Sequence, residues 1–273
     1  MARRWLITGC SSGLGLALAE AVAAAGDTVL ATARKPATLE ELRERHPDRL
    51  LTTALDVRDQ AQVTEAVALA EDRLGGIDVL VNNAGYGLFG AVEEVGDQEL
   101  RDQLETLVVG PWRLVREVLP GMRERGSGHI VNVSSLAGRM GIPGLGAYVT
   151  GKYALEGMSQ VLAAEVAGFG IRVTAVEPGG FATHYGASVN ETAHRIDAYR
   201  ETVDPMLAAM RQMEDLPEIG RPADFATLVL RIVAAEQTPV RIPIGSDAYA
   251  YLSHVEEAAR TELTAAAALT TLT

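Results

Sequence analysis

The chain has 273 residues, 48% of them hydrophobic, a formal net charge of −12 and a single cysteine, Cys10. That length suits one large domain or two small ones. The charge makes nucleic acid and anionic membranes poor partners, and the lone cysteine excludes an internal disulfide framework and fits a reducing cytoplasm. No run of about 18 apolar residues offers a membrane span, and the opening MARRWLITGC lacks the long apolar core of a leader.

In chain order, RWLIT (4–8) reads as a strand, followed by a glycine loop and a helix over 12–25 that Gly26 would close. TVLATA (28–33) is a second strand, and Thr38 with Glu41 has capping-box spacing for a helix after Pro36. LLTTALDV (50–57), IDVLVNN (77–83), HIVNVSS (129–135), IRVTAVEP (171–178) and VRIPIG (240–245) complete the strands. Helical periodicity covers 59–74, one long stretch 97–125, then 147–168, 188–211 and 222–236, with a short helix last. Regular β–α alternation predicts one domain over 1–273, a doubly wound parallel sheet of about seven strands with helices on both faces. The irregular stretch 184–215 follows a strand's carboxyl end, where such folds bind ligands, and reads as a substrate lid.

The loop TGCSSGLG (8–15) joins the first strand to the first helix. Gly9, Gly13 and Gly15 permit a tight turn and close approach of a pyrophosphate to the helix N-terminus, with Ser11, Ser12 and Leu14 between them. An NAD site wants an acid at the end of the second strand. Here Ala33 is followed by Arg34 and Lys35, two cations able to bind a 2′-phosphate, so NADP(H) is the expected cofactor; the alternative is that both are solvated loop charges.

Of 24 lysines and arginines only Lys35 and Lys152 are lysine, so a retained lysine asks for a compact ammonium whose pKa can be moved. YVTGK (148–152) puts Tyr148 and Lys152 on one helix face at i, i+4. A phenol, with a pKa of about 10, becomes a usable general acid or base beside an ammonium. Ser135 ends the preceding strand, at the edge where the reactive end of a cofactor arrives. The five histidines form no close ligand pair, and no metal is expected. Cys10 reads as a small buried residue; His184, Tyr185, Tyr199, Met206 and Met210 could line a lid or simply pack within it.

Taken together, TGCSSGLG, Asp56 in LDV, NNAG (82–85), Ser135 thirteen residues before Tyr148, YVTGK and EPGGFAT (177–183) resemble the short-chain dehydrogenase/reductase family, most closely its NADP-preferring carbonyl and hydroxysteroid reductases. The resemblance implies a Rossmann fold with Ser135 on the substrate oxygen, Tyr148 passing a proton, and Lys152 holding the nicotinamide ribose. It also implies Asp56 and Val57 at the adenine, Asn83, Ala84 and Gly85 beside the cofactor, and Pro178, Gly179 and Thr183 around the nicotinamide. It implies hydride transfer between NADP(H) and a small carbonyl or alcohol, a hydrophobic one on the apolar bias of the lid, and a homo-oligomer through the two long helices. A weakened dinucleotide-binding sensor, or an epimerase on the same scaffold, is the alternative.

One position departs from the pattern. Aligned on Gly110, the family's catalytic asparagine falls at Leu107, which can neither donate nor accept through its side chain. Pro111 has no N–H, so the carbonyl four residues earlier, that of Leu107, loses its helical donor. That carbonyl could hold a relay water by itself, giving Leu107 a backbone role; otherwise Leu107 is a core or pocket residue.

Overall fold

The computed structural model describes residues 2–183, 189–212 and 219–270. Seven strands form one parallel sheet in the order β3-β2-β1-β4-β6-β7-β9: β1 (Arg4–Ile7), β2 (Thr28–Ala33), β3 (Leu50–Ala54), β4 (Val79–Asn82), β6 (Gly128–Val133), β7 (Ile171–Pro178) and β9 (Arg241–Ile244). The chain winds outward from β1 to β3, returns to β4 and winds the other way. The switch point therefore lies between β1 and β4, the usual ligand crevice of an open α/β sheet. A separate two-residue pair, β5 (Leu88–Phe89) with β8 (Asn190–Glu191), joins the loop after β4 to the lid segment.

Both sheet faces are covered, which is why the strands are nearly continuous apolar runs. On one face α1 (Gly13–Ala24) and α8 (Pro222–Ala234) pack over Trp5, Ile7, Val29 and Val79. On the other, α3 (Gln60–Leu74), α5 (Gly110–Arg125) and α6 (Gly146–Val166) bury Leu6, Leu30, Leu80 and Ile130. Local signals set the ends: Asp59 caps α3 by accepting from the amides of Ala61 (2.9 Å) and Gln62 (3.3 Å), and Gly75 closes it at φ 77°.

Several boundaries differ from the sequence reading. Thr38 does not cap a helix; its hydroxyl donates to the Lys35 carbonyl inside a 3-10 turn (Pro36–Leu39) that precedes the short α2 (Glu40–Arg45). The third strand ends at Ala54 rather than 57. The stretch expected as one helix over 188–211 contains β8 and a 3-10 turn before α7 (Arg200–Gln212). The last helix, α9 (Ser246–Thr270), runs 25 residues rather than a few turns. The long helix splits into α4 (Asp97–Leu104), a π-helical turn (Glu105–Val109) and α5. Here Gly110 N–H reaches back to the Glu105 carbonyl, five residues earlier, and Pro111 follows with no N–H to give.

Candidate active site

The sheet's carboxyl edge between β1, β2 and β4 forms a cradle. Gly9 sits at φ +70°, and a Cβ there would come within 2.7 Å of the Ala84 backbone, so only glycine closes this turn. The turn is locked from β4: the Asn83 amide donates to the carbonyls of Thr8 (2.9 Å) and Gly9 (3.1 Å), while the Thr8 hydroxyl accepts from the backbone of Asn83 and Ala84. Ser11 and Ser12 are exposed; Ser12 stands at the N-cap of α1 without capping it, and the first turn, with Gly13, Leu14 and Gly15, has no acid. Free helix amides, two hydroxyls and no carboxylate suit a pyrophosphate. Cys10 is fully buried, its thiol against the Ile7 carbonyl and pushed up by burial to about 12, which leaves it inert.

Arg34 and Lys35 are exposed just past β2. Asp56 lies alongside, held low by Arg58, whose guanidinium grips both its carboxylate oxygens, and further by the charge of Arg34. Arg58 adds a third cation that sequence reasoning missed; its pairing at i, i+2 across a bend follows no helical spacing. Val57 is a core residue, packed where a Cβ on Gly110 would lie 2.8 Å from it, so only its backbone can reach the cradle.

The three predicted catalytic residues come together at the ends of β6 and α6. Ser135 follows β6 and caps a 3-10 turn (Leu136–Gly138), accepting from the Ala137 amide at 3.2 Å. Ala137 and Tyr148 share a buried apolar cluster. Lys152, 5% exposed, donates to the Val133 carbonyl at 2.7 Å, two residues before Ser135, and its ammonium lies 5.5 Å from the centre of the Tyr148 ring. Burial pulls the Lys152 pKa down to about 8.

Leu107 lies in the π turn, 1% exposed and in the same cluster as Tyr148. Its side chain fills the space between two glycines: a Cβ on Gly85 or on Gly151 would come within 2.9 and 2.8 Å of it. The site thus holds an apolar plug where the family's pattern has a side-chain amide.

Across β7 and β9 the loop with Pro178, Gly179 and Thr183 is tied to the C-terminal helix. Asp247, in the first turn of α9, accepts from the Gly180 amide at 2.7 Å, and its carboxylate occupies the space a Gly179 side chain would need. The sequence reading missed Asp247, whose role depends on a 67-residue separation. Thr183 faces Gly13 across the cradle.

Phe89, Leu107, Leu145, Tyr148, Val189, Val203, Leu207 and Met210 form the apolar cluster beside the site, with Tyr199 and Met206 against it. The lid segment is clamped to the stretch after β5. Glu94, buried, accepts from the amides of Ala91 (2.7 Å) and Ile196 (2.6 Å) and from Arg195 (3.2 Å). Arg195 also pairs with Asp204 and Glu191 and lies over the Phe89 ring, while Thr192 donates to Glu99. His184, Tyr185 and the ends of the 184–215 lid lie outside the described residues. Among the described residues no acid–histidine–cysteine group could hold a metal, and no helix is long and apolar enough to cross a membrane.

The glycine cradle at a parallel sheet's switch point, with Ser135, Tyr148 and Lys152 at its edge, matches one class. Residues 3–194 fit the short chain dehydrogenase family model, and the chain belongs to that family. It is an oxidoreductase whose fold takes a nicotinamide dinucleotide and acts on CH–OH or C=O groups. It is similar to the oxidoreductase BOA17 of Botryotinia fuckeliana, at 41% identity over 94% of both chains. A 3-ketodihydrosphingosine reductase of Bacteroides thetaiotaomicron shares 34% identity over 88% of this chain and 87% of its own. The crystal structure of a short-chain dehydrogenase from Streptomyces avermitilis superposes with TM-score 0.89 and 44% identity, covering 96% of this chain and 95% of that one.

Proposed function

We propose that this protein is an NADP(H)-dependent ketoreductase that interconverts a hydrophobic carbonyl compound and its secondary alcohol. The observation that carries the reading is the meeting of Lys152, Tyr148 and the Ser135 turn beside a buried apolar cluster, at the edge of a glycine cradle flanked by Arg34 and Lys35. Similarity to a relative named for a ketone substrate supports it.

When bound, the nicotinamide dinucleotide supplies the hydride for the carbonyl carbon. Gly9, Ser11, Ser12, Gly13, Leu14 and Gly15 would hold its pyrophosphate, Arg34 and Lys35 its 2′-phosphate, and Asp56 with the Val57 backbone its adenine. Asn83, Ala84, Gly85, Pro178, Gly179 and Thr183 would enclose the rest. Ser135 donates a hydrogen bond to the substrate oxygen, and Tyr148 gives that oxygen its proton. The Lys152 ammonium, fixed by Val133, stabilises the phenolate that Tyr148 becomes. The Leu107 carbonyl, which Pro111 cannot satisfy, anchors a water beside this group.

A second copy of the chain packs against the two long helices, where Trp112, Tyr153 and Val161, with Phe169 just past the second, leave large apolar surface exposed. The acidic chain acts as a cytoplasmic enzyme on small molecules. Following nicotinamide absorbance with NADPH and a panel of ketones tests the function: oxidation with apolar ketones is expected. Tight NADPH binding without oxidation by any ketone would instead identify a sensor.

A further inference from the structure

Behind the catalytic edge lies a second set of titratable groups with no part in the mechanism above. Glu156 follows Lys152 by one turn on the same face of α6 and is 3% exposed. Among the described residues its carboxylate meets only the hydroxyl of buried Ser134, the neighbour of Ser135, and its remaining lone pairs are unmet. Both side chains border Gly138, where an added Cβ would lie 2.7 Å from the Ser134 oxygen and 2.9 Å from Glu156 Cγ. Buried polar atoms left in this way are normally met by water.

The set continues outward. Glu177 on β7, fully buried, is held by Arg139 at 3.4 Å, and Arg139 reaches Glu256 on α9 at 2.6 Å. Arg139, Glu256, Arg241 and Ser253 line a cavity of about 350 Å³ that opens beside α9. Facing Glu156 are therefore Lys152 from its own helix, Ser134 at the end of β6, Arg139 just past the 3-10 turn, Glu177 from β7 and Arg241 from β9.

Each reduction removes a proton from Tyr148; the Lys152 ammonium returns one to the phenolate after turnover, and the neutral amine left behind must regain one from solvent. On the Leu107 side no side chain can take part, which leaves only the water its carbonyl anchors, and no titratable group stands there as a proton reservoir. We infer that Glu156 is the proton-exchange partner of Lys152, carrying protons between the Lys152 ammonium and the water of the Arg139–Arg241 cavity. The proton passes from the Glu156 carboxyl through a bridging water to the neutral Lys152 amine, and the carboxylate is reprotonated from solvent, so one solvent proton enters per hydride transferred. Burial raises the Glu156 carboxyl and lowers the Lys152 ammonium, which narrows the free-energy step between them. Glu156 acts through Lys152 and is a positioning residue. The inference rests on the ketoreductase reading for its purpose, but its test does not.

With only Lys35 and Lys152 present, nitrogen-labelled lysine gives two side-chain signals, assigned by Lys35→Arg. Hydrogen exchange of the Lys152 ammonium is measured on the protein alone. Glu156→Gln is expected to slow it about tenfold or more and to shift Lys152 titration further down, since the Glu156 charge raises it. Glu156→Asp should restore part of the rate, as should a small buffer acid added to Glu156→Gln. Ser253→Trp, which plugs the cavity from the exposed face of α9 and leaves the buried pair alone, should slow exchange in the same direction. Unchanged exchange in a folded Glu156→Gln or in Ser253→Trp overturns the inference. In turnover, Glu156→Gln should lower kcat with little change in KM and respond to buffer acids. Absence of turnover in the unmodified protein would count against the ketoreductase reading alone, leaving the exchange result to decide the relay.

Discussion

The two halves of the site are built in opposite ways. On the cofactor side, backbone is fixed by side chains that reach across the switch point: Asn83 and Thr8 lock the Gly9 turn, and Asp247 holds the Gly180 amide. On the substrate side, apolar side chains pack on one another, and the lid is held through a few charged groups around Glu94 and Arg195. A ligand that does not vary is met by rigid amides and close backbone approach, where even one methyl group is excluded. A ligand set that can vary is met by replaceable apolar walls, and Leu107 shows that such replacement has reached a position next to the chemistry itself.

Four measurements test this contrast. The largest effect belongs to the junction of the halves: Tyr148→Phe should lower kcat about 100- to 10,000-fold while leaving cofactor affinity near its starting value. Retained turnover would remove Tyr148 from the acid role. Next, Arg34→Ala should weaken NADPH binding about 10- to 100-fold, the range of a charge-assisted contact, and NADH hardly at all. Equal losses for both would move the 2′-phosphate elsewhere. A smaller effect is expected from Leu107→Asn, which puts an amide into the apolar half. Stability should fall by about 1–3 kcal/mol in urea unfolding, with kcat changed by less than about threefold if the main chain already anchors the relay. A large gain in kcat would show that the side chain was needed.

The smallest lies outside both halves. His129 is buried against Thr174 and its pKa is pushed down to about 3 by burial. Its folded value lies below the unfolded one, so the unfolded chain takes up a proton that the native state refuses. Stability is therefore lost as pH falls from about 6.5 toward 3, by about 2 kcal/mol between pH 6.5 and 5 from this residue. His129→Gln should flatten that slope in denaturation series at the two pH values, without altering either ligand's affinity.

Much of the architecture was readable because the relevant signals are local. Strand runs, the TGCSSGLG turn and the i, i+4 pair Tyr148–Lys152 each lie within a few residues, and the regular β–α alternation announced a parallel sheet of seven strands, though not their order. What escaped depends on long separations or on competition between neighbours. Asp247 meets Gly180 across 67 residues, and Glu94 meets Arg195 across 101, with no periodicity to announce either. Gly110–Pro111 was visible as a break, but a π turn rather than a bend follows from packing: Gly110 must approach Val57. The α9 helix ran on because its alanine-rich tail forms helix well wherever nothing ends it.

The Glu94 clamp has a practical corollary for anyone recombining relatives of this enzyme. The stretch 189–212 looks like a self-contained cassette in sequence, yet its carboxylate anchors Glu94 and Glu99 and its strand partner Leu88–Phe89 are encoded some hundred residues upstream. Swapping the later segment alone would leave buried Glu94 without its Arg195 and Ile196 partners, with only the Ala91 amide to hold it. The transferable module is discontinuous, 88–99 together with 189–212, and a chimera should exchange both or neither.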